Sequence, residues 1–221
     1  MNILYTFGHS NHSLEKFLQL LNKYHITVVG DIRSHPHSKH CPHFNYAFLQ
    51  RELPKNNLRY CFWGKELGGR PDDPRCYDNH GQVQYSSLIN TPAFQVGLSR
   101  LKQLLVSYPV VLMCTERDPL NCHRSILIGR YLREFTIKHI LANGDIETQP
   151  EIEQRLLNQY NSLQQPSLFN QNLKDAYDLH SQKVAYSQPN KKLVVREEEN
   201  RYGKNSTVYH RFYEEISRGI F

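Results

Sequence analysis

Apolar and polar positions follow two rhythms along this chain, one strand-like and one helical. Residues 3–7 (ILYTF) are a short β-prone run that stops at Gly8. After the polar residues 9–12 comes Ser13, a natural N-cap, ahead of Leu14, Phe17, Leu18 and Leu21 at helical spacing. Residues 26–32 (ITVVGDI) read as a second strand, and the helix between the two strands makes a βαβ unit. Residues 33–43, rich in His and Pro, exclude regular structure, and a short helix is expected over 45–53 before a strand at 58–63. Residues 64–81 carry most of the Gly-Pro-Asp punctuation and form a long excursion without periodicity, a pattern that marks a functional loop.

The second half repeats the alternation. Pro92 takes a favoured first-turn position, and Phe94, Leu98, Leu101, Leu104 and Leu105 trace one face of a helix that ends near Tyr108. Residues 110–113 (VVLM) are an unbroken apolar run, as expected for a strand covered on both faces. A loop over 114–121, a helix over 122–134, a strand over 137–141 and an amphipathic helix over 150–160 complete the series. The expectation is an α/β fold: a mostly parallel sheet of about five strands with helices on both faces. The domain is placed at residues 1–165. Residues 166–221, where Gln, Asn, Ser and Tyr dominate, are expected to be a polar C-terminal extension, partly ordered or docked on a partner.

Composition adds limits. No stretch reaches the roughly 18 apolar residues of a membrane span, and the N-terminus MNILYTFGHS lacks the basic start of a signal peptide. The odd number of cysteines, five, fits a reducing compartment, and a cytoplasmic protein without membrane contact is expected. The net charge of +6 favours acidic partners: an anionic small molecule or nucleic acid. The residues leave the cofactor unknown. Residues 35–43 hold four histidines and Cys41, suitable metal ligands by type, but no CxxC pair or HExxH helix accompanies them, so no metal site is assigned.

In a parallel α/β sheet, ligands bind beyond the carboxyl ends of the strands. Polar residues gather there from four places: His9 and Ser10; Asp31 and Arg33; Lys65, Glu66, Gly68, Gly69 and Arg70; then Cys114, Glu116, Arg117, Asp118, Cys122, His123 and Arg124. The last segment leaves a buried strand and opens a helix, where free N–H groups and Arg124 suit an anion and a nearby thiol is expected to have a depressed pKa. We expect Arg33, Arg124, Ser10, Gly68 and Gly69 to hold the ligand. Cys114 is the expected nucleophile, Glu116 or Asp31 the acid or base, and His9 or His123 the proton carrier. The expected function is an enzyme acting on a nucleotide, nucleic-acid component or other phosphate-bearing substrate, its reaction undefined. The alternative is a non-catalytic nucleotide or nucleic-acid binding module. Acidic residues among the basic ones favour the enzyme, since they weaken a phosphate surface but suit acid/base work.

The motifs of residues 6–10 (TFGHS), 29–33 (VGDIR) with Pro36, 66–69 (ELGG), 112–116 (LMCTE) and 122–124 (CHR) resemble, in order and spacing, those of the DUF488 family over about residues 1–160. The resemblance implies an α/β domain of the prokaryotic cytoplasm with a polar site built from these motifs. It implies no substrate or reaction. The family more often carries Arg or Lys near a Pro-x-Ser turn after the VGDIR motif; here Pro36-His37-Ser38-Lys39 stands in that place, with Lys39 as the substitute base.

Overall fold

The structure, a computed structural model, describes residues 3–161 and 172–189. Its centre is a sheet of β1 (Ile3–Gly8), β2 (Val28–Asp31), β3 (Arg59–Phe62), β4 (Val110–Cys114), β5 (Thr136–Ile140) and β6 (Ile146–Thr148). The spatial order is β3-β2-β4-β1-β5-β6. The first five strands run parallel, and β6 returns antiparallel beside β5. The sheet thus has six strands rather than about five. The sixth, Ile-Glu-Thr, is half-buried throughout and offers no apolar run; a turn through Gly144, at φ +89°, folds it back.

Side-chain alternation assigns the two faces. Val111 and Met113 of β4 join Phe7 and Val29 against Phe17 and Leu21 of α1 (Leu14–Lys23) and Leu49 of α2 (Tyr46–Glu52). Val110, Leu112 and Cys114 point to the opposite face. There they meet Leu98 and Leu101 of α4 (Pro92–Ser107), which follows the single turn α3 (Tyr85–Leu88), and Ile126 to Ile128. Ser13 caps α1 by accepting from the Lys16 amide, and Thr91 caps α4 from its Phe94 amide with Pro92 behind it.

The helix expected over 122–134 is shorter and wider. Residues Arg124–Gly129 are π-helical, and all are buried. Gly129 permits this close docking, since a Cβ there would lie 2.4 Å from Gln149 Oε1. Helix α5 (Gln149–Asn161) packs beside it, and α6 (Leu173–Val184) packs on α5. His180 ties α6 down, with Nδ1 3.1 Å from the Tyr160 hydroxyl and Nε2 3.0 Å from the Leu120 carbonyl. The compact unit therefore runs to Gln188, past residue 165. Most of the expected extension, residues 166–171 and 190–221, lies outside the described residues. Among the described residues, no helix is long and apolar enough to cross a membrane.

Candidate functional site

Strand β1 leads through α1 to β2 on one side, while β4 leads through the π-helical turn to β5 on the other. The adjacent carboxyl ends of β1 and β4 therefore form a topological switch point, where a parallel sheet opens a crevice. A cavity of about 490 Å³ lies there. His9 follows β1 into its lining, Arg33 to His35 follow β2, and Thr115 and Glu116 follow β4. Gly69, Arg70, Asn121, Cys122 and His123 come from the connecting segments, and Tyr85 opens α3.

One corner is an ion pair. Asp31 is fully buried and accepts from Arg33 Nε at 2.8 Å, Arg33 Nη2 at 2.6 Å and the Tyr60 hydroxyl at 2.8 Å. The guanidinium also donates to the Phe44 carbonyl and contacts His9 Nε2 at 3.0 Å. Burial, and then the Arg33 charge, lower the His9 pKa to about 4, so this ring is neutral near pH 7 and accepts from Arg33. Asp31, expected as an acid or base, is engaged inside the protein and does not line the cavity; its carboxylate fixes Arg33.

The other corner is built on sulfur. Cys114 and Cys122 stand with Sγ atoms 3.0 Å apart. Arg124 Nη1 donates to Cys114 Sγ at 2.7 Å and to the Glu116 carbonyl at 2.6 Å, and Nη2 donates to the Arg117 carbonyl at 3.0 Å. Cys122 Sγ lies 3.2 Å from Glu116 Oε2 and 3.6 Å from His123 Nδ1. His123 Nε2 sits 3.2 Å from the Ile32 carbonyl. A carbonyl only accepts, so Nε2 carries a proton, and in the neutral ring Nδ1 is the open base facing the thiol. Burial acts to raise the Glu116 carboxyl, but the nearby His123 ring and hydrogen bonds from its own amide and the two thiols override it, leaving the group below its ordinary value.

Two expectations change here. Cys114 and Arg124 are fully buried and line no part of the cavity; Cys122 does, although only 2% of it is exposed. Arg124 therefore holds the loop and the sulfur from behind instead of gripping a ligand. Burial, reinforced by the Cys122 hydrogen bond and opposed by Arg124, pushes the Cys114 thiol well above its ordinary pKa, the reverse of the depression expected. The unbroken apolar run carried the signal: every residue of β4 is buried, whichever face it takes, and Cys114 is the last of them.

The remaining expected residues divide. Glu116, His123, Arg33, His9 and Gly69 line the cavity. Ser10, at φ 45°, is a turn residue whose carbonyl receives the Cys41 thiol, and Gly68 is wedged against the Gly64 carbonyl and Ser34 Oγ. Glu66 pairs with Arg100, and Asp118 caps the turn at Leu120 and pairs with Arg155. Exposed Lys39 is not in the lining. In the His-rich loop, His35 and His37 reach the cavity, while His43 bonds the His12 carbonyl. Among the described residues, the group gathered as metal ligands are is Cys114, Glu116 and Cys122.

Val184 and Tyr186 form a wall that no motif announced. Tyr186 is held by its carbonyl on the Val83 amide and by the Arg70 guanidinium stacked 4.2 Å from its ring centroid. Tyr85 sits in the lining near Cys122 and Glu116; burial and these neighbours raise its hydroxyl pKa, leaving a neutral donor.

Residues 13–131, which include the second and later motifs around this cavity, match the family described as Domain of unknown function DUF488. That span is more than half of the chain. The chain belongs to the DUF488 family. No curated protein and no solved structure matches it. The DUF488 match is shorter at both ends than the expected 1–160: it omits His9 on β1 and the Val184–Tyr186 wall, so the cavity combines residues inside and outside the matched span.

Proposed function

We propose that this chain is an enzyme that binds a nucleotide, a nucleic-acid component or another phosphate-bearing molecule and works on it through the Cys122 thiol. The observation that carries the reading is the alignment at the cavity wall of Cys122, His123 Nδ1 and the Ile32 carbonyl: a nucleophile, a base and a group that orients the base. The proton of Cys122 passes to Nδ1, the thiolate bonds to the electrophilic centre, and the departing group takes the proton back. Glu116, on another side of the sulfur, serves the water that releases the adduct.

The lining supports an anionic ligand. Two arginines and four histidines face a single carboxylate, Glu116. Arg33 is neutralised by Asp31, whereas Arg70 has no acidic partner among the described residues and stands exposed beside the cavity. Alkylation by iodoacetamide, followed residue by residue by mass spectrometry, tests both parts. Cys122 is expected to react faster than buried Cys76, His123→Asn to slow it, and a nucleoside triphosphate to protect it unless Arg70 is changed to Ala. A Cys122 rate indifferent to His123→Asn and to nucleotide defeats the proposal. Protection that survives while the His123 change has no effect would instead favour a binding site without a nucleophile.

A further inference from the structure

The sulfur corner points to a chemistry of its own. Most buried cysteines act as small hydrophobes, but Cys114 and Cys122 face each other with their sulfurs 3.0 Å apart, inside van der Waals contact. A disulfide requires about 2.05 Å, so roughly 1 Å of approach separates the pair from a bond. The two differ in access and in anchoring. Cys122 lies in the cavity wall at the start of the π-helical turn, whereas Cys114 sits behind it on a central strand, registered opposite Gly8. Arg124 touches Cys114 alone of the two.

We propose that Cys122 and Cys114 are a reactive and a resolving thiol that reduce a hydroperoxide and close to a reversible disulfide. The Cys122 thiolate attacks one peroxide oxygen: the S–O bond forms, the O–O bond breaks, and the departing oxygen leaves as water or alcohol with the proton the thiol gave up. Sulfur is thereby oxidised to a sulfenic acid and the peroxide is reduced. Cys114 sulfur then attacks Cys122 sulfur; the S–S bond forms, the S–O bond breaks, and hydroxide departs as water with the Cys114 proton. The Arg124 guanidinium stabilises negative charge on Cys114 as it attacks. Cys122 borders the cavity, which gives the oxidant its access.

A metal site is the rival for the same atoms, because Cys114, Glu116 and Cys122 offer ligands within 4.8 Å of one another. Two thiolates on tetrahedral zinc stay about 3.8 Å apart at Zn–S distances near 2.3 Å. The observed separation is shorter, and the positive Nη1 of Arg124 already occupies a position 2.7 Å from one sulfur. Both facts favour the thiol pair.

The test uses the full chain and does not depend on the substrate proposed above, since it reads sulfur and not turnover. Hydrogen peroxide is added, free thiols are blocked, and peptides are mapped by mass spectrometry. The expected product is a Cys114–Cys122 cross-link, with the loss of two hydrogens, that dithiothreitol reverses, while Cys41, Cys61 and Cys76 remain thiols. In Cys114→Ser the reaction stops at a Cys122 sulfenic acid that dimedone traps; circular dichroism checks that this variant folds. A cross-link through another cysteine, a folded Cys114→Ser protein without a dimedone adduct at Cys122, or purified protein whose bound zinc shields both thiols would each overturn the proposal.

Discussion

Two buried arginines flank the cavity, and they live in opposite ways. Arg33 is clamped on a buried carboxylate by Nε and Nη2, so its charge is cancelled where it stands. Arg124 has no carboxylate; its donors reach one sulfur and two carbonyls, and its Nε has no hydrogen-bond partner among the described residues. Each nonetheless stands beside a histidine kept neutral by burial first and by the guanidinium second. Arg33 acts on His9, and Arg124 on His139, which lies between Thr6 Oγ1 at 2.7 Å and Gln149 Oε1 at 2.9 Å. The first corner is complete in itself and positions groups. The second has a charge whose partner is a titratable, oxidisable atom, and both proposals place their chemistry on that side.

The comparison breaks most visibly at Asp31. Asp31→Ala strands a buried guanidinium, and removing one member of a buried pair costs about 3–5 kcal/mol. Urea unfolding at pH 7 is expected to show that loss, together with a frayed His9 contact. A loss below about 1 kcal/mol, the range of exposed pairs, would mean that Arg33 swings to solvent and that the clamp is dispensable.

Next in size is acid sensitivity. Burial, followed by the neighbouring arginine, lowers His9 to about 4 and His139 to about 3, from 6.5. With folded values below unfolded ones, the unfolded chain takes up protons first. The stability held by each neutral ring is complete above about pH 6.5 and drains as pH falls toward 4 and 3. Each ring contributes on the order of 3 kcal/mol between pH 7 and pH 4. The replacement His139→Gln is expected to flatten that part of the unfolding free energy against pH, and an unchanged acid limb would show that His139 is not held neutral.

Arg124→Met sharpens the contrast from the other side. Because no carboxylate is stranded and a buried charge is removed, the cost reduces to two carbonyls and a sulfur left without donors, about 1–3 kcal/mol for each acceptor. A resting thiolate at Cys114 would add a stranded buried charge to that cost. Iodoacetamide labelling of Cys114 in urea-free buffer, before and after the change, separates these cases.

Much of this was readable in the residues, for identifiable reasons. The apolar run of β4, the Ser13 cap and Pro92 at a first turn each contain their own explanation, so strands and helices follow locally. The rest depends on distance along the chain. Tyr85 lies in a segment without periodicity, and Val184 and Tyr186 reach the cavity because α6 is anchored by His180 on the Leu120 carbonyl, a contact between residues 60 positions apart. Strand β6 is too short and too polar to announce itself. Cys114, expected to be the nucleophile, ends a strand that is buried along its whole length, and it is Cys122 that reaches the cavity.

The smallest effects come from two glycines that frame the sulfur corner. A Cβ on Gly8 would stand 1.8 Å from the Glu116 carbonyl and 2.7 Å from Arg124 Nη1, so Gly8→Ala must displace backbone. About 1–3 kcal/mol is expected, with altered alkylation at Cys122, because the same loop holds Glu116. A Cβ on Gly69 would meet the His123 ring at 3.4 Å, an ordinary contact, and Gly69→Ala is expected to stay within about 0.5 kcal/mol. Its value lies in the reactivity it leaves: a thiol rate changed by Gly69→Ala with stability intact would show that ring position alone sets how readily Cys122 gives up its proton. An unchanged rate in Gly8→Ala, despite the shift of Glu116, would remove the carboxylate from the reaction and leave His123 as the base.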